Sequence, residues 1–107
     1  MKVVHCPDVE GLDSFELGLE GSTKMMLKLL SDDSVYIEIE PMGHTPDHVH
    51  NDKERLVIIS GKGEIKTRNQ RNPIKPLDFI ELDANEHHQI LNNGDEVLAF
   101  VCFRHQG

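Results

Sequence analysis

"HVHNDKERLVIISG", residues His48 to Gly61, sets two histidines and a glutamate just ahead of an aliphatic run that stops at a glycine. In a strand, residues i and i+2 face the same way, so His48 and His50 can present their imidazoles side by side. Glu54 has the same parity, as do Leu56 and Ile58 beyond it. One face would then carry three potential metal ligands followed by an apolar stripe. The competing reading is a solvated loop that leads into a strand. With seven histidines in the chain, roughly 0.4 H-x-H pairs are expected by chance. Requiring the glutamate lowers this to about 0.04, and requiring the glycine lowers it to on the order of a few in a thousand. The spacing carries information.

Outward from this segment, short apolar runs recur between turn signals, and long amphipathic helical patterns are missing. "TKMMLKLL" ends at "SDDS", and "SVYIEIE" alternates with Val35, Ile37 and Ile39 on one face. "ERLVIIS" stops at "GKG", "EIKTR" at "NQRNP", "DFIEL" at "DANE" and "HHQIL" at "NNGDE", before "VLAFVCF" near the end. Seven or eight closely spaced strands indicate an all-β sandwich or small barrel. Residues 1–22 are the least patterned and are expected to form an arm or an added edge strand, leaving 23–104 for the barrel. The strands Glu54–Ser60 and Val97–Phe103 are apolar on both faces. That implies a second covering layer, either the arm or another copy of the chain. Few residues are spare for a cover, so a homodimer is expected.

Composition narrows the function classes. A chain of 107 residues suits one domain with its own core. Nineteen acidic residues against eleven basic give a formal charge of −8, which repels phosphate backbones and anionic lipid. Nucleic acid and membrane are therefore not expected partners. The first residues show no apolar signal region, and two well-separated cysteines make no disulfide framework. A cytoplasmic protein with reduced thiols is expected.

The pattern H-x-H-x3-E-x6-G resembles the first conserved motif of the cupins, and "HQILN" supplies the H-x3-N that ends the second, with His88 and Asn92 at the right spacing. The resemblance runs from about Met25 to Phe103. It implies a double-stranded β-helix, or jelly-roll, cupin barrel with one divalent transition-metal ion (Fe, Mn, Ni or Zn). Carried across by position, the metal ligands would be His48, His50, Glu54 and His88. The turns depart from the pattern: Leu77 stands where a glycine is usual, and Asp83 and Asn85 replace a Pro-x-Gly turn. Asn tolerates the left-handed conformation that such a turn requires.

The phase of the later strand agrees with this choice, since His88 and Ile90 point inward while His87 points outward. His44 and His87 are expected at the rim or behind the ligands. Three histidines and a carboxylate do not choose among the metals. An octahedral ion would keep two positions for a substrate that chelates through oxygens, whereas a tetrahedral zinc would be closed. The resemblance to quercetin-dioxygenase-like cupins implies an oxygenase-type enzyme acting on a small molecule, with Glu54 able to double as a proton acceptor. A non-catalytic binding or sensing cupin is the alternative. A sugar isomerase or epimerase ranks below both.

Overall fold

In the computed structural model, residues 1–13, 22–46 and 51–105 are described. Among them the regular structure is one short 3-10 turn, Cys6–Asp8, and nine antiparallel strands. The strands are β1 (Leu12–Asp13), β2 (Thr23–Ser31), β3 (Ser34–His44), β4 (Lys53–Ser60), β5 (Gly63–Thr67), β6 (Arg71–Ile74), β7 (Phe79–Leu82), β8 (His88–Leu91) and β9 (Leu98–His105). Their order is β6-β5-β8-β3-β9-β4-β7, with β2 on the free side of β3 and β1 beyond it. β3 bridges the two ends of the curled sheet. Its first half pairs with β9 from Ser34↔Phe103 to Ile39↔Leu98, and its last residue, His44, pairs with Leu91 of β8.

The alternation seen in the sequence sets the core. Along β4 the buried positions are Glu54, Leu56 and Ile58, with Ile59 exposed. Ile37, Ile39, Leu98, Phe100 and Cys102 complete the inner face from β3 and β9. Their partners on the other face meet a different cover. Lys28 donates from Nζ to the Pro7 carbonyl at 2.7 Å and pairs with Glu38 at 3.0 Å. Lys2 donates to the Leu30 carbonyl. The N-terminal arm thus lies over β2 and β3, which explains why Tyr36 is buried on the outer side. Its burial, with Glu38 beside it, raises the phenol above its ordinary pKa. The outer face of β4, β7 and β9 stays open, with Ile59, Phe79 and Phe103 exposed.

One strand was not visible in the sequence. β6 falls within "NQRNP", whose composition suggests only a turn, and it contains Pro73. Proline removes a ladder donor, and β6 tolerates it because it is an edge strand paired on one side only. β1 is two residues long and pairs with β2.

The turns explain the departures from the expected motif. Lys75–Asp78 closes as a turn with Pro76 second and Leu77 third, and Leu77 has φ +72. This is the type II geometry in which glycine is favoured at the third position. Asn85 takes φ +65 in the turn before β8. Gly61, the last residue of the first motif, has φ +81, and a Cβ there would run into the Val97 carbonyl.

Candidate metal centre at one end of the sheet

Glu54 enters the interior because it shares the inward phase of β4 with Leu56 and Ile58. It is only 7% exposed, and His88, the first residue of β8, is 5% exposed. The approach to His88 is a tight turn in which Glu86 donates its N–H to the Asp83 carbonyl at 3.1 Å. The Glu86 carboxylate accepts the Asp83 N–H in return, at 3.0 Å. The ring then fixes itself on this turn, with His88 Nδ1 3.1 Å from the Glu86 carbonyl oxygen. A carbonyl only accepts, so Nδ1 carries the proton. Nε2 is left facing Glu54 Oε2 at 3.2 Å.

That arrangement can serve two states. With Nε2 protonated, the pair is a buried ion pair. With Nε2 unprotonated, the imidazole nitrogen and a carboxylate oxygen are two donors 3.2 Å apart, with a backbone carbonyl setting the tautomer as is usual behind a ligating histidine. Two ligands bound at about 2.1 Å and at right angles stand roughly 3.0 Å apart, close to the separation here. The donor chemistry and spacing of the two residues fit a shared ion. Burial pulls His88 down, but its hydrogen bonds to Glu54 and the Glu86 carbonyl and the neighbouring carboxylates outweigh that and raise its pKa.

Cys102 adds a contact that the sequence does not announce. It is 3% exposed, and its Sγ donates to Glu54 Oε1 at 2.7 Å. Burial, followed by the nearby Glu54 charge, pushes the thiol far above its ordinary pKa. It therefore remains a donor across the physiological range. The two Glu54 oxygens are thereby divided, Oε1 toward the thiol and Oε2 toward the imidazole. An inward position for Cys102 is legible from its alternation with Leu98 and Phe100. Its closeness to Glu54 depends on the pairing of β4 with β9, Leu56↔Cys102, which no single-strand pattern contains.

The remaining histidines separate. His48 and His50 lie outside the described residues. Among the described residues, no group of three or more His, Cys, Asp or Glu side chains is arranged to hold a metal. His44 pairs with Leu91, on the face of β8 opposite His88. Its Nδ1 lies 3.1 Å from the Thr45 carbonyl oxygen and 3.4 Å from Gln89 Nε2. His44 thus lies apart from Glu54. His87 is half-buried and lines a cleft beside the β5–β6 turn.

An antiparallel sheet curled into a jelly-roll barrel, with a carboxylate and an imidazole buried together at one end, defines the class. The Cupin domain family matches residues 35–104, and the chain belongs to the cupin family. Over 67 residues it is 27% identical to the 1-methylthio-D-xylulose 5-phosphate methylsulfurylase of Rhodospirillum rubrum. The match covers 63% of this chain and 43% of that enzyme, so the chain spans less than half the length of this curated relative. Among solved structures it is similar to the polyketide cyclase RemF of Streptomyces resistomycificus, with a TM-score of 0.84 at 19% identity over 97% of this chain and 78% of that one. A predicted oxalate decarboxylase of Thermotoga maritima gives a TM-score of 0.81 at 22% identity, over 96% of this chain and 97% of the other. At such identities the likeness is one of fold.

Proposed function

We propose that the protein is a metal-dependent, oxygenase-type cupin acting on a small substrate that chelates through oxygens. Its ligands are His48, His50, Glu54 and His88, holding one divalent transition-metal ion. The observation that carries this reading is the buried Glu54–His88 pair at 3.2 Å, with the imidazole tautomer set by the Glu86 carbonyl. An ion there supplies Lewis acidity toward substrate oxygens and, as iron or manganese, redox chemistry with O₂. The chain's own groups do the rest. Cys102 holds one oxygen of Glu54, so the carboxylate presents the other. Glu54 would double as the proton acceptor on leaving the ion, and the thiol, which stays protonated, takes no proton from it. The inner face around them is apolar and excludes water. Two of the similar proteins are named for enzymatic reactions on small molecules, which supports turnover over an inert clasp.

The same reading includes a homodimer packed through the outer face of β4, β7 and β9, where Ile59, Phe79 and Phe103 are 48%, 61% and 45% exposed. It also includes a cytoplasmic setting, in keeping with both Cys6 and Cys102 being free thiols. The test is O₂ uptake by protein purified anaerobically and loaded with Fe²⁺ or Mn²⁺, offered catechols, 1,3-diketones and 2-hydroxy acids. Metal-dependent uptake with a member of one class is expected. No uptake with any of them, together with bound tetrahedral zinc, would favour a structural site.

A further inference from the structure

A cleft of about 370 Å³ lies between the β5–β6 turn and the turn that leads into β8. Thr67, Arg68, Asn69, Asn85, Glu86 and His87 line it, and each has a polar side chain. It adjoins the candidate metal centre through the ladder, since Thr67 is the register partner of His88. Partners in an antiparallel ladder face the same side, so Thr67 points to the side of the sheet toward which His88 points.

Two features of this cleft suggest a ligand. Lys28, Lys53, Arg55, Arg71 and Lys75 are each committed to an ion pair. Among the described residues Arg68, like Lys24, Lys62 and Lys66, makes no side-chain ion pair or hydrogen bond, and of these four it is Arg68 that lines the cleft. The second feature is rigidity on the opposite wall. The Asp83–Glu86 turn is closed by two reciprocal hydrogen bonds and holds Asn85 at φ +65. A preformed polar wall lowers the ordering cost on that side of the cleft.

We infer that this cleft binds the hydroxylated carboxylate end of a small organic acid, with Arg68 taking the carboxylate and Asn69, Asn85 and Glu86 taking the hydroxyls. The guanidinium fork matches a carboxylate in a bidentate contact. Glu86 spends one oxygen on the Asp83 N–H and keeps acceptor capacity for a hydroxyl donor. Its charge disfavours a dianion such as phosphate. Each lining side chain carries a polar group, which favours a hydroxylated chain over an apolar one. The cleft rests on the proposed function only in naming what the neighbouring centre would meet.

The experiment is an NMR titration of the full-length ¹⁵N-labelled chain, after EDTA treatment and again with one equivalent of Zn²⁺. The probes are D-gluconate, D-glucitol, hexanoate and inorganic phosphate. Gluconate is expected to shift the amides of residues 67–69 and 85–87 saturably, with or without zinc. Glucitol, hexanoate and phosphate should each bind more weakly. Arg68→Ala should weaken gluconate at least ~10-fold, and Arg68→Lys should fall between. Arg68 is exposed, so the spectrum of the variant away from the cleft should be unchanged. Equal binding by Arg68→Ala, phosphate or hexanoate matching gluconate, or no saturable shift would overturn the inference. Gluconate binding that requires zinc and ignores Arg68 would place the acid on the metal, overturning the cleft while supporting the centre. Arg68-dependent binding in a chain that takes up no metal would uphold the cleft alone.

Discussion

Two of the buried polar clusters among the described residues are satisfied in opposite ways. Asn92, 1% exposed, donates from Nδ2 to the carbonyls of Ile39 at 2.7 Å and Glu96 at 2.8 Å, and its Oδ1 accepts the Gly94 N–H at 3.0 Å. Its own backbone bonds Gly43 and Met42 across the sheet. Every one of these partners is a neutral backbone group. Glu54, in contrast, faces two ionisable side chains, the thiol of Cys102 and the imidazole of His88. A fold that only needed to bury polarity would use the first solution, since an ionisable pair carries a desolvation cost that backbone partners avoid. Retaining the second supports the proposed metal centre. The H-x3-N motif contributes to both clusters, tying the β8–β9 connection down with Asn92 and turning His88 toward Glu54.

Substitutions should separate the two clusters. Asn92→Ala leaves two carbonyls and an N–H without their partner in a dry interior, and should cost about 3 kcal/mol. In a domain of this size that lowers Tm by on the order of 12–24 °C. Thermal unfolding checks it, with metal content per folded chain unchanged. His88→Gln should do the converse, weakening Co²⁺ binding by at least ~100-fold while moving Tm far less than Asn92→Ala. If both variants lost stability alike and neither changed metal affinity, the contrast between the clusters would collapse.

Cys102→Val keeps the packing and removes the donor to Glu54 Oε1. Metal affinity is expected to fall by about 10-fold, read by competition with a chromophoric chelator, and Cys102→Ser should recover part of it. Full affinity in the valine variant would mean that the thiol only fills space. The pH response offers a subtler test. His88 is raised above its ordinary value in the fold, so its pairing with Glu54 contributes stability that is fully present below about pH 6.5. That contribution is lost as pH rises through the folded value. EDTA-treated protein should therefore lose Tm on going from pH 6 to pH 9, and Glu54→Gln should flatten that slope. Asn92 has no titration to contribute. The smallest effect lies outside both clusters. Leu77, 85% exposed at φ +72, pays for a left-handed backbone without packing, so Leu77→Gly should stabilise by about 0.5–1 kcal/mol.

Much of the fold was legible because period-two alternation decides which face is wet. The inward phases of Glu54, Leu56 and Ile58, and of His88 and Ile90, follow from it, and each is buried. β6 was hidden because Pro73 and its polar neighbours read as a turn, and only its edge position makes a strand there possible. The cover of the outer face was half legible. Doubly apolar strands called for a second layer, but the arm covers β2 and β3 instead, through Lys2 and Lys28. At the site, residue types and spacing pointed to Glu54 and His88. Cys102 and Arg68 were silent, because their proximity depends on strand register and on how two turns approach each other.

The most direct test of the central claim is the metal content of tag-free protein, purified without added metal or chelator and measured by elemental analysis. About one transition-metal ion per chain is expected, falling to a small fraction in His50→Ala. Folded wild-type protein carrying no such ion, and taking up none on titration with Mn²⁺, Fe²⁺, Ni²⁺ or Zn²⁺, would contradict it.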